Sequence, residues 1–511
     1  MEHSTDPSPR LTALLGVFDF LLKPWGGPLI GLVGWAATAP FSTSALAMAL
    51  CWWGVTLLIW SIQAERKWLN VLPFPPLTVI ALHLFLRWEL GGMLLLLSDE
   101  RGGQYTDWSR NIARALPINA LFTTLLLGIP LLLNLALLRQ QFSPSPVFKT
   151  PPSSKSNLGK WVLLTIITGI VAIGYALIGY YSGTLDRGSE YLRWAGRFWR
   201  PDTFFSATIR LRDIYFIVLP WTIYSLRKRP GVLVAFLAPT IFSACITSLL
   251  GSRGILLYPI MLSIAGVWLA GIQPRVIRVI ILAALTFSVA FVPFATTFRT
   301  LNSTSVDKSD LFGRIRLATQ SKSFSNLSLA NLGREIYASS DPFLFVAPGI
   351  DQEPAGFKRF TNLRYIWLPR IFGEKRPEIN DGHLVVNEIL GTPEAGMHEG
   401  RYFTFPSITT GGDLYWRFRW RGVLVGGGLL GILYGLVCRF WYTYADLSKN
   451  TYTILLALFP STFLQGPPLR SVLETAWNWL YEIPKYCLLL LVVAAITEMV
   501  ISIISKQRSQ I

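Results

Sequence analysis

Charge is scarce in this chain. Of 511 residues only 15% are Asp, Glu, Lys or Arg, while 52% are hydrophobic. A soluble chain carries about 25% charge, so an ordinary soluble domain is excluded. Cysteine is scarce too. Cys51, Cys245, Cys438 and Cys487 all fall in apolar stretches, and no CxxC occurs. That pattern excludes a disulfide framework and a thiolate metal site, and reads as small buried hydrophobes. The chain has no HExxH, Walker A, GxSxG or DxD, so nothing points to a metalloprotease, a P-loop enzyme, a serine hydrolase or a metal-bound nucleotide sugar. No cofactor or metal is expected. The start, Met1–Asp6, is polar with two acids, which gives no sign of a cleaved signal peptide.

Long apolar runs take the place of charge, and mean hydropathy is +0.44. Runs near 27–41, 44–62, 75–98, 115–138, 161–181, 211–226, 231–250, 254–271, 277–296, 420–440, 452–466 and 484–504 approach the roughly 20 residues that cross a bilayer. They predict an all-α, polytopic integral membrane protein with about twelve spans. Arg139–Lys160 holds four cations and no acid, and Arg227, Lys228 and Arg229 form a purely basic turn. Arg275, Arg278, Arg439, Lys449, Lys506 and Arg508 continue the series. With twelve spans all of these fall on one side together with both termini, which the positive-inside rule makes cytoplasmic. The chain divides into a bundle over 1–296, a large extracytoplasmic loop over 297–419 and C-terminal spans over 420–511. No internal repeat appears, which weighs against a transporter built from inverted halves.

The formal net charge is +17, and Arg outnumbers Lys by more than two to one. The charge is spread over many loops, so it does not read as a nucleic-acid surface. An excess of Arg suits planar, bidentate recognition of phosphate or carboxylate. Arg210 and Arg212 stand at the expected membrane edge. Arg253 sits in a tight turn, Gly251-Ser-Arg-Gly254, between two apolar runs. For these residues local ion pairing or snorkelling to lipid headgroups competes with an anion clamp. In the third run His83 and Arg87 share a helix face, with Glu89 close in sequence. Ionisable groups within a span are functional candidates.

The long loop interleaves acids and bases. Arg370 and Arg376 belong to Leu368-Pro-Arg…Lys375-Arg-Pro377, and Arg401 follows His398 and Glu399. Asp413 lies in Gly412-Asp-Leu-Tyr-Trp416, just before a glycine-rich apolar run that begins at Arg421. A carboxylate or neutral imidazole here can take a proton from a sugar hydroxyl. Arginines can stabilise charge growing on a departing anion.

The Gly-Ser-Arg-Gly turn at 251–254, the Leu-Pro-Arg…Lys-Arg-Pro element at 368–377 and the Gly-Asp-Leu-Tyr…Arg-Gly-Val segment at 412–423 together resemble the Wzy-type oligosaccharide repeat unit polymerases, the O-antigen polymerases. Arg401, eleven positions before Gly412, resembles an arginine–glycine spacing of some lipid-linked sugar polymerases. The stretch Arg417-Phe-Arg-Trp-Arg421 departs from the family, where an Asn-Phe-Gly-like stretch is expected.

The resemblance implies a GT-C-like membrane glycosyltransferase in the bacterial inner membrane. Its substrates would be polyprenyl-pyrophosphate-linked oligosaccharides. Membrane lipids, a chain-length regulator and a flippase would be partners, and nucleic acid would not. On this reading Arg210, Arg212, Arg253, Arg370, Arg376 and Arg401 hold pyrophosphate. His398, Glu399 and Asp413 are the unranked candidates for the base. An O-antigen ligase, a lipid-linked oligosaccharide flippase and a non-catalytic assembly subunit remain as alternatives.

Overall fold

The structure is a computed structural model. It describes residues 23–66, 75–98, 108–138, 158–181, 352–366, 382–390, 408–445 and 470–485, most of 214–223 and 337–346, and scattered residues elsewhere. The described residues are helices, turns and connecting segments, with no strand among them. The helices are α1 (Gly26–Thr38), α2 (Ala45–Ala64), α3 (Pro76–Ser98), α4 (Trp108–Leu138), α5 (Leu158–Tyr181), α6 (Gly382–Ile389), α7 (Thr410–Ala445) and α8 (Val472–Trp477).

Four stretches are long and apolar enough to cross a membrane: Ala45–Ala64, Pro76–Ser98, Arg110–Leu133 and Thr410–Arg439. They fit a helical membrane protein. The runs expected near 27–41, 44–62, 75–98, 115–138, 161–181 and 420–440 coincide with α1 to α5 and the long part of α7. Those near 211–226 and 484–504 are described in part, and the other four lie almost wholly outside the described residues.

Local chemistry sets the helix ends. The Ser44 hydroxyl accepts the Ala47 N–H at 3.3 Å and caps α2. At the other end of α2, the Glu65 carboxylate accepts the N–H groups of Leu77 and Thr78 at 2.9 and 2.6 Å. One acid thus satisfies the first turn of α3, where Pro76 has no N–H and needs no acceptor. A π-turn over Phe85–Leu90 interrupts α3, and another, Asn478–Glu482, follows α8. Such turns are frequent at functional sites.

The core lies where α4 packs against α2, α3 and α7. Trp88, Phe122, Leu126, Val423 and Tyr434 are buried there. Met48, Cys51, Leu96, Ile112 and Leu116 form a second cluster. Leu29, Leu32 and Val33 on α1, and Leu424, Val425 and Leu429 on α7, point outward. Apolar residues on an outer face match a lipid surround rather than water.

Candidate functional site at a folded-back helix

Helix α7 does not run straight. Arg419 has φ 56° and ψ −150°, a conformation that breaks the helix. Beyond it the chain folds back. A Cβ on Gly422 would overlap the Leu414 carbonyl, and one on Gly426 would meet the Leu414 side chain at 2.6 Å. In a straight helix residues 414 and 426 are about 18 Å apart. Phe122 of α4 adjoins both Gly411 and Gly427. A short arm, Thr410–Phe418, therefore lies against the long arm that starts at Trp420. Glycines 422 and 426 permit the close approach. The break leaves carbonyls without helical partners. Those of Trp416 and Arg417 accept the N–H groups of Ala355 and Gly356, at 3.3 and 2.9 Å.

The short arm starts in the interior. Thr409 and Thr410 are fully buried. The Thr409 hydroxyl accepts the Gly412 N–H at 2.9 Å, as an N-cap does. It also donates to Asp341 Oδ2 at 2.6 Å, while the Thr409 N–H donates to Oδ1 at 2.9 Å. A buried carboxylate thus faces the positive end of the arm, where the helix dipole favours it. Only glycine fits at 412, because a Cβ there would overlap Asp341 Oδ1.

Asp413 is the one sequence-derived candidate in this region. It is fully buried, and both oxygens are engaged. Oδ1 accepts Arg417 Nε at 2.9 Å, and Oδ2 accepts the N–H of Val472 at 2.7 Å. Arg417 is 0% exposed and donates to the Lys358 carbonyl at 2.6 Å. Its guanidinium lies 5.1 Å from the Phe360 ring and 5.2 Å from that of Trp416. In this arrangement Asp413 ties α7 to α8 and, through Arg417, to residues 356–360. Action as a base would require one of its oxygens to be released. The Thr410 hydroxyl donates to the Arg470 carbonyl at 2.7 Å. A capping box between Ser471 and Glu474 starts α8 beside it.

At the turn, Arg419 donates to the Gln352 carbonyl, and Arg359 and Lys358 pair with Glu388 of α6. Trp420, Arg421, Arg364 and Phe357 are exposed there, Phe357 at 74%. The Phe357 ring meets those of Phe360 and Phe418 edge-on at 5.5 and 5.0 Å. Aromatic rings mixed with cations suit the interface between bilayer and water.

A second polar group lies nearby and is built differently. Glu89, Asn119, Thr123 and Tyr337 are buried, and each has a side-chain atom without a hydrogen-bond partner. Glu89 packs against Gly54 of α2, and the Tyr337 backbone packs on Gly91. Burial pushes the Tyr337 phenol well above its ordinary value, and the neighbouring acidic groups Asp341, Cys51 and Glu89 add to the rise. Burial also raises the Asp341 carboxyl, while Thr409, Ser339 and Asn119 pull it back. The Asn119 amide lies beside Asp341, yet neither of its polar atoms reaches hydrogen-bond geometry.

His398, Glu399, Arg210, Arg212, Arg253, Arg370, Arg376 and Arg401 lie outside the described residues. Sequence reasoning passed over Asp341, Thr409, Asn119, Tyr337 and Glu474. The pattern Ser-x-x-Glu at 471–474 and the Thr-Thr-Gly-Gly-Asp run at 409–413 are helix-start signals that point to part of this set. Among the described residues no group of three or more His, Cys, Asp or Glu is placed to hold a metal ion. No protein-family model, curated protein or solved structure matches the chain.

Proposed function

We propose that this protein is a glycosyltransferase of the bacterial inner membrane that joins polyprenyl-pyrophosphate-linked oligosaccharide repeat units into a surface polysaccharide. Its plan is that of about twelve spans, GT-C-like, with cytoplasmic termini and the loop of 297–419 facing outward. The growing glycan on its lipid pyrophosphate is the donor. A hydroxyl of one lipid-linked repeat unit attacks the donor's anomeric carbon. The carbon–oxygen bond to pyrophosphate breaks, and the lipid pyrophosphate leaves. The hydroxyl proton passes to a base, for which His398, Glu399 and Asp413 are candidates. Arg210, Arg212, Arg253, Arg370, Arg376 and Arg401 hold the anion.

The observation that carries this reading is the turn of α7. Exposed Arg364, Arg421 and Lys358 stand beside exposed Trp420 and Phe357 at the end of a glycine-rich apolar helix. A substrate with an anionic head and an apolar tail has both halves matched there. A flippase for the same lipid-linked glycan is the second reading. It is favoured by the ionisable groups inside the bundle: Glu89, Asp341, Asp413, Arg417 and Glu474.

Envelope glycans from cells with and without the gene separate these, on a gel that resolves chain length. Loss of the long ladder, with a single repeat unit still on its final acceptor, marks the polymerase. Polymer held on the lipid carrier marks a ligase. Repeat units trapped on the cytoplasmic side mark the flippase. Arg253→Ala, Arg370→Ala and Arg376→Ala should each lower polymer yield about ten- to a hundredfold with the protein still inserted, since a lost charge-assisted contact is worth about 1.5–3 kcal/mol. Normal polymer from all three removes them from the pyrophosphate site.

A further inference from the structure

Glu89 lies two residues from the midpoint of Pro76–Ser98, and the Gly54 it packs against is near the middle of Ala45–Ala64. Its carboxyl is therefore buried at the mid-length of two candidate membrane spans. No cation pairs with it among the described residues, and Oε2 has no hydrogen-bond partner. Around it are Cys51 from α2, the phenol of Tyr337 and, beyond that, Asp341. On its own helix stand Arg87 and His83, whose Nε2 is also without a partner. From α4 comes the neutral Asn119, beside Asp341.

Two acids cannot both be anionic here at low cost. Each unpaired buried charge costs several kcal/mol. The two acids are not equal. Asp341 accepts two hydrogen bonds from Thr409 and faces a helix N-terminus, so it can carry a negative charge. Glu89 is not seen at a helix N-terminus, and its Oε2 has no hydrogen-bond partner. Its unpartnered oxygen is sealed, so neither water nor a metal ion reaches it in this conformation. A proton needs no such space.

We propose that Glu89 is a proton-binding site in the membrane core, with Tyr337 and Asp341 setting its proton occupancy. One proton joins the Glu89 carboxylate to give the neutral acid, and it is exchanged with the aqueous phase. Asp341, bonded to the start of the α7 short arm, acts on the same Tyr337 phenol that Glu89 acts on, and the link between the two acids runs through it. Seating of the arm and proton occupancy are thereby linked, because the arm stabilises the Asp341 anion. This inference does not rest on the glycosyltransferase reading, and its tests use no glycan.

The test is infrared spectroscopy of the full-length protein in lipid nanodiscs across pH. A protonated carboxylic acid gives a carbonyl band distinct from carboxylate. We expect such a band near neutral pH, its loss on alkalinisation, and its absence in Glu89→Gln. Glu89→Gln copies the shape of the neutral acid and should fold. Should it not, isotope labelling of glutamate in the wild type reads the same band, and a band that fails to move overturns the proposal. A band that persists in folded Glu89→Gln also overturns it. In Asp341→Asn the band should vanish at lower pH than in the wild type, and an unmoved midpoint overturns the part given to Asp341.

Discussion

The two buried polar groups beside α4 invite comparison. Around Thr409, Asp413 and Arg417, described acceptors meet donors and the one buried cation has a carboxylate. Around Glu89, Asn119 and Tyr337, polar atoms are buried without partners. The first arrangement is what a fold needs in order to hold a short helix among apolar neighbours. The second is costly to maintain, about 1–3 kcal/mol for each unsatisfied group, and structure alone gives no return for it. The first group holds the short arm in place, and the second leaves buried polar atoms that the fold does not satisfy.

Substitutions test the contrast directly. The largest effect is expected from Asp413→Ala. It leaves Arg417 buried without a partner, and removing one member of a buried pair costs about 3–5 kcal/mol. Chemical unfolding in detergent measures it. The double change Asp413→Leu with Arg417→Met should recover more than half of the loss, because no charge is then left unpaired. A loss below about 1 kcal/mol in Asp413→Ala would show that the pair is solvated.

Gly412→Ala comes next. Its Cβ must displace Asp341 or the arm, and overpacking of this kind costs about 1–3 kcal/mol. The same unfolding assay reads it, and wild-type stability would mean that the arm is not seated on Asp341. A smaller effect follows from pH. The folded-state value of Asp341 is raised above the ordinary 3.8. Its contribution is then complete below that value and is lost as pH rises through the folded-state value. Wild-type stability should fall with rising pH over that window, and Asp341→Asn should lack this component. Identical pH slopes would remove Asp341 as the source. The smallest effect is expected at the second group. Asn119→Leu removes an amide whose polar atoms are buried without partners, so stability should hold or rise and not fall. A large loss would show that the amide is bonded after all, and the contrast between the groups would fail.

The sequence foretold helices better than their interruptions. Apolar runs at 44–62 and 75–98 end within two residues of α2 and α3, because hydrophobicity and Pro75–Pro76 mark those limits. The π-turn at Phe85–Leu90 left no trace, since no glycine or proline signals it. It falls where His83, Arg87 and Glu89 had drawn attention as charges in an apolar run. The fold-back at Arg419 was hidden for a similar reason. An arginine at positive φ has no sequence signature, and only the surplus of cations at 417–421 stood out. Asp413 was legible as an acid beside a span, but its partners were not. Val472 is 59 residues away, and its contact depends on the arm lying inside the bundle. Asp341 and Tyr337 were invisible in the same way, as members of a long loop that the fold carries against α3 and α4.

The fold-back also bears on how the chain is made. Thr410–Phe418 has nine residues, about 13 Å of helix, and carries Asp413 and Arg417. It is too short and too polar for the insertion machinery to take as a span. Translation would therefore commit the stretch from Trp420 onward to lipid and leave the short arm waiting in water. The arm can slot in only after α4, α8 and the segment around Asp341 have been placed, since these supply its partners. On this order it is among the last pieces assembled.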